Sequence, residues 1–140
     1  MILLDTNVVS EPMRARPEPR VLSWLDRQVP DRLWLSSVVV AELLSGLARL
    51  PSGARQRGLL DAANSLISED FGLRVLPFDL EAATAYAALL AHREHLGRPI
   101  TMADAQIAAV CQVHRAALAT RNTCDFEGAD LELIDPWADV

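Results

Sequence analysis

Residues 1–11 read MILLDTNVVSE. Ile2, Leu3 and Leu4 form a short apolar run, as a buried strand does. The run ends on Asp5, Thr6 and Asn7, and apolar character then resumes. One reading is a turn, because Asp and Asn side chains bond to nearby backbone. The other reading depends on which further carboxylates the chain brings to the same place.

Outward from this stretch the pattern alternates. PEPRVLSWLDRQV reads as a helix with Pro19 in its first turn and Val21, Leu22, Trp24 and Leu25 on its apolar face. LWLS at 33–36 is a second strand. Ser37 is expected to cap the helix VVVAELLSGLARL, which stops before Pro51. A further helix is expected from about Ser52 to Phe71, ending at Gly72. RVLPF is a third strand, after which Asp79 caps a helix that ends at Gly97 with Pro99 beyond it. Thr101 caps TMADAQIAAVCQVHR. ALAT at 117–120 and LELI at 131–134 complete the strands. This alternation implies an α/β fold, with a mostly parallel five-stranded sheet flanked by helices. There is no internal repeat or linker, so residues 1–140 read as a single domain.

In an open parallel sheet, ligands bind beyond the carboxyl ends of the strands. Asp5 ends the first strand. Glu42 lies just over a turn into the helix after the second. Asp125 lies in the loop that leaves the fourth. Asp104 opens a helix that feeds the fourth strand through a short link, so its start lies at the same edge. Each acid has a plainer reading. Asp5 and Asp125 suit Asx turns, Asp104 stands three residues after Thr101 as in a capping box, and Glu42 suits a solvated helix face. Asp79 is read as an N-cap only. The case for a site rests on convergence, since turns and caps need not meet at one point.

If the four acids meet, a cation must join them. Two unit charges 4 Å apart repel by about 4 kcal/mol at an effective dielectric of 20. Oxygen-only ligation selects Mg²⁺ or Mn²⁺ over Zn²⁺. His92 and His95 share a helix but lack a third ligand, and they read as surface residues. The chain has no GxGxxG, GxxxxGK[ST] or GxSxG signature.

Composition narrows the class. The 140 residues are 51% hydrophobic, with a net charge of −6, enough apolar material for a core. The longest apolar stretch, VVVAELL, is interrupted by Glu42 and is too short to span a bilayer. The expectation is a cytoplasmic protein with no membrane association. Cys111 and Cys124 form no CxxC and read as reduced, Cys111 as a small core residue. Every one of the 13 basic residues is Arg, so any phosphate contact would be through a guanidinium.

LDTNVVSE at 4–11, VVVAELLSGL around Glu42, ITMADAQIAAV at 100–110 and LATRNTCDFEG at 118–128 occur in an order and at spacings that resemble a PIN domain. More narrowly, the chain resembles the VapC-type toxins of prokaryotic toxin–antitoxin pairs, in their FitB-like branch. The likeness extends over the chain, including LPFD at 76–79 and the closing Asp135-Pro136-Trp137. It implies a five-stranded parallel sheet ordered 3-2-1-4-5. It further implies a Mg²⁺- or Mn²⁺-dependent endoribonuclease, in which a metal-activated water attacks an RNA phosphodiester in line. Asp5, Glu42, Asp104 and Asp125 are carried over as the acidic quartet, serving both as metal ligands and in catalysis. Asp5 and Asp104 would hold the principal ion. Thr6, Asn7, Thr120 and Asn122 fall at supporting polar positions. Arg14, Arg16, Arg49 and Arg121 are candidates for lining the RNA path. The implied partners are RNA, a VapB- or FitA-like antitoxin and a second copy of the chain. Two rival readings are a non-catalytic PIN fold that binds RNA or antitoxin, and a small-molecule phosphatase.

Overall fold

Ile2–Leu4 forms β1 and is buried at every residue. It lies in the middle of a parallel sheet of five strands, ordered β3-β2-β1-β4-β5. The computed structural model of the chain describes residues 1–138, so the last two positions of the expected 1–140 domain lie outside the described residues.

The other strands are β2 (Leu33–Ser36), β3 (Val75–Leu76), β4 (Ala117–Ala119) and β5 (Leu133–Ile134). Ile2 stands opposite Leu33 on one side and Ala117 on the other. Both strands flanking β1 are apolar, as a sheet covered on two faces requires. The expected strand order and parallel architecture are both present.

The helices are α1 (Thr6–Ser10), α2 (Pro19–Arg27), α3 (Ser37–Ala48), α4 (Ala54–Ser65), α5 (Leu80–His95) and α6 (Met102–His114). Sequence periodicity missed α1, because five residues span little more than one turn. It buries Val8 and Val9 directly after β1. The helix expected over residues 52–71 is α4 followed by a π-turn at Leu66–Asp70. Ser36, and not Ser37, caps α3: its Oγ accepts from the Val39 N–H at 3.1 Å. Ser37 is used elsewhere, its Oγ accepting from the Phe78 N–H at 3.0 Å. The caps at Asp79 and Thr101 are as expected. Gly97, at φ +69°, closes α5 in the left-handed region where a side chain would be strained.

α6 is the most deeply packed helix. Ala105, Ile107, Ala108, Ala109, Val110 and Cys111 are all fully buried. The small residues let α5 lie close along it, while Ile107 contributes about 2 kcal/mol of apolar burial. After His114 the chain reverses through Arg115, left-handed at φ 52°, straight into β4. That tight link sets α6 antiparallel to β4. The first turn of α6 therefore stands at the carboxyl edge of the sheet, beside the end of β1.

Candidate active site

Asp5 leaves β1 and caps α1 in one residue. Its carboxylate is 5% exposed and is held at both oxygens. Oδ1 accepts from the Thr6 N–H at 2.8 Å, and Oδ2 accepts from the Thr120 hydroxyl at 2.7 Å. Burial pushes the carboxyl above its ordinary range, and the charges of Glu42 and Asp125 add to this. The two hydrogen bonds oppose the shift without cancelling it.

Glu42 stands in the second turn of α3. Its Oε1 accepts from the Thr6 hydroxyl at 2.8 Å. Thr6 thus touches two acids, Asp5 through its backbone and Glu42 through its side chain. Thr120, fully buried at the end of β4, also serves twice: it donates to Asp5 and accepts from the Asn122 N–H at 3.1 Å. Asn122 enters through its backbone. Asn7 enters through its side chain, Oδ1 accepting from the Arg121 N–H at 3.4 Å.

Asp104 makes the capping contact of its plainer reading, and its carboxyl also feels the other acids. Its N–H donates to Thr101 Oγ1 at 3.2 Å, as a cap requires. Its carboxyl is pushed up to about 6, first by burial and then by the charge of Asp5, against a hydrogen bond from the Thr101 side chain and with smaller contributions from Asp125 and Glu42. Asp125 is exposed on the 3₁₀ turn Thr123–Phe126. Asp104 and Asp125 face a cleft of about 100 Å³ whose other walls are Arg93, Pro99, Ile100 and Thr101.

The charges of Glu42 and Asp125 therefore act on both Asp5 and Asp104, and the four acids share one edge of the sheet. Among the described residues, no three His, Cys, Asp or Glu side chains are gathered into a ready-made ligand cluster. The acids are coupled through space without closing on a point.

The candidate arginines separate clearly. Arg14 lies against the buried Glu11 carboxylate at 3.3 Å. Arg49 is at the far end of α3, two turns beyond Glu42. Arg16 is exposed. Arg121 directly follows Thr120, and its guanidinium lies over the Trp137 ring, 5.2 Å from the centroid. His92 and His95 are exposed, as expected. Cys111 is buried and its thiol is pushed up to about 12 by burial, so it is no nucleophile.

Arg93 escaped the sequence reading. It is 3% exposed, yet charged. A signal existed: it stands four residues after Leu89 and eleven after Ala82, on the buried stripe of α5.

A family profile described as PIN domain matches residues 2–130. The chain is 44% identical over 137 residues to the VapC ribonuclease Y4jK of Sinorhizobium fredii, covering 98% of each. It is 41% identical over 139 residues to the toxin FitB of Neisseria gonorrhoeae, covering 99% of this chain and 100% of the relative. Among solved structures, FitAB bound to an IR36 DNA fragment contains a chain with a TM-score of 0.94 and 39% identity. That match covers 100% of this chain and 98% of the other. No helix among the described residues is long and apolar enough to cross a membrane.

Proposed function

The chain belongs to the PIN domain family, in its VapC- and FitB-like branch, and we propose that it is the toxin of a type II toxin–antitoxin pair, acting as a Mg²⁺-dependent endoribonuclease. The observation that carries this reading is the meeting of four acids at the carboxyl edge of the sheet, where Glu42 shares Thr6 with Asp5 and where Asp104 and Asp125 face one cleft. Burial and three neighbouring acids push the Asp104 carboxyl up to about 6. Such a site is costly when bare and relieved by a cation.

The residues present fit a hard divalent ion. All four acids offer oxygen, the donor that a hard divalent ion prefers. Asp5 and Asp104 would hold the ion, with Glu42 and Asp125 completing or extending the set. When bound, Mg²⁺ or Mn²⁺ supplies Lewis acidity toward water and toward the phosphoryl oxygens of RNA.

The chain's own groups do the positioning. Thr120 and the Thr6 N–H fix both oxygens of Asp5, so its orientation precedes any ligand. The Thr6 hydroxyl turns Glu42 toward the same edge. Arg121, stacked on Trp137, presents an exposed guanidinium to a phosphate of the RNA backbone. An acidic edge also suits a cationic side chain from a partner, and the likeness to the FitAB assembly supports a VapB- or FitA-like antitoxin as that partner. The reading includes a homodimer that acts on RNA in the cytoplasm.

The test is cleavage of single-stranded RNA by the purified chain with Mg²⁺, Mn²⁺ or EDTA, beside a generic phosphate ester. The expected result is cutting of RNA only, lost in EDTA and lost in a folded Asp104→Asn variant. Full activity in Asp104→Asn would leave that residue as a cap alone and overturn the site. Turnover of the ester with RNA untouched would make the chain a phosphatase, and no turnover of either would make it a binding module.

A further inference from the structure

Asp125 is the least anchored of the four acids. It is exposed, and its 3₁₀ turn Thr123–Phe126 begins at Asn122 without a side-chain cap. From below, Phe126 is fully buried and roots the turn in the core. From the side, one guanidinium holds it. Arg93 Nη1 donates to the Asp125 carbonyl and to the Glu127 carbonyl, each at 3.1 Å. Its Nε donates to the Arg98 carbonyl at 2.7 Å. Arg93 thereby joins three parts: α5, the loop after it and the turn carrying Asp125. It also forms a wall of the cleft that Asp104 and Asp125 face.

Burying a charge is expensive unless it is hydrogen-bonded, and Arg93 donates to three backbone carbonyls. A guanidinium offers what an apolar side chain cannot: a planar fork whose donors reach several carbonyls in fixed directions. Lys supplies the charge but not the fork. Arg98 and Glu127 add an ion pair at 3.6 Å between the same two loops, but both side chains are half-exposed and the pair is worth little.

We propose that Arg93 is a positioning residue that acts through Asp125, fixing the backbone from which that carboxylate reaches the cation. The inference rests on the metal-dependent reading of the site.

The experiment measures Mn²⁺ affinity of the full chain by electron paramagnetic resonance. The variants are Arg93→Met, Asp125→Asn, the double variant and Arg74→Met. Arg74 is the control, because its guanidinium also holds backbone carbonyls, those of Leu33 and Asp70, at 3.1 and 2.7 Å, away from the acids. Arg93→Met is expected to weaken Mn²⁺ binding about tenfold, as loss of an outer partner does. On the Asp125→Asn background it should cost nothing more. Arg74→Met should leave the affinity within about twofold of the parent, since distant sites act independently.

An undiminished affinity in Arg93→Met, an equal loss in Arg74→Met, or a full further loss on Asp125→Asn would each overturn the proposal. If Arg93→Met does not fold, Arg93→Lys is measured instead, together with amide hydrogen exchange. Faster exchange confined to residues 124–127, with weaker Mn²⁺ binding, supports the proposal; unchanged exchange and affinity refute it. A parent that binds no Mn²⁺ refutes the site reading itself, and the inference falls with it.

Discussion

Asp5 and Glu42 are held through their side-chain oxygens, whereas Asp104 is placed by the helix cap at its backbone N–H and Asp125 by donors to its backbone carbonyl. The first pair is therefore oriented before any ligand arrives. The second pair is held chiefly through its backbone, with Thr101 the one side chain bonding to the Asp104 carboxyl, and it borders a cleft open to solvent. The contrast suggests a division of labour. On the proposed reading, Asp5 fixes one side of the cation site in advance and Asp104 meets the ion from the adaptable half, with Glu42 and Asp125 completing the set from the two sides.

The contrast breaks most visibly in stability. Asp5→Ala removes the acceptor of the buried Thr120 hydroxyl and of the Thr6 N–H. An orphaned buried donor costs about 1–3 kcal/mol, so in EDTA this variant is expected to lose about 2 kcal/mol. Asn is no simple rescue, because its amide nitrogen cannot accept from Thr120 while its oxygen serves Thr6. Asp104→Asn retains the Thr101 cap, which uses the backbone, and relieves repulsion. It should be as stable as the parent or more so. Urea unfolding of both variants at pH 7 measures the difference. Equal losses would mean that the two halves are anchored alike.

A smaller effect comes with pH. The Asp104 carboxyl moves from 3.8 to about 6 on folding, so the folded chain binds its proton more tightly. Stability from that proton is fully present below pH 3.8 and is lost as pH rises through 6. The raised Asp5 acts in the same direction. Without metal, the parent should lose about 1 kcal/mol more than Asp104→Asn between pH 4 and pH 7, after allowance for solvent screening of a half-exposed group. Mg²⁺ should shrink that gap, because it stabilises only the native state. Parallel pH profiles in EDTA would show that Asp104 feels no such field.

Much of this arrangement is local chemistry, and that part was legible in the sequence. ILL before a polar triplet announces β1, and Asp79 and Thr101 announce helix starts, because caps depend on neighbours three residues away. The alternation of elements implied a mostly parallel sheet, while the order 3-2-1-4-5 came from resemblance. What the sequence hid is long-range or very short. α1 is too brief for periodicity. Ser36 and Ser37 are both plausible caps until Phe78 claims Ser37. The bond from Thr120 to Asp5 joins residues 115 positions apart. Arg93 lay on an apolar stripe, but charge alone reads as surface until the carbonyls around it are known.

The finest test of the division falls on Thr6. Its hydroxyl is the tether of Glu42, and its N–H is the tether of Asp5. Thr6→Val removes the first and keeps the second, with nearly the same shape and the same β-branching. The lost bond is only partly buried, so the stability cost should be below about 1 kcal/mol. Glu42 would then be free to leave the edge, while Asp5 stays fixed. If Glu42 completes the cation site from a pre-oriented position, Mn²⁺ affinity should weaken by roughly threefold, less than the usual loss of an outer partner because only one of four acids is loosened. Titration of the folded variant against Mn²⁺ reads this directly. An affinity equal to the parent's would place Glu42 with the adaptable half, and the boundary between the two halves would then run through Thr6 itself.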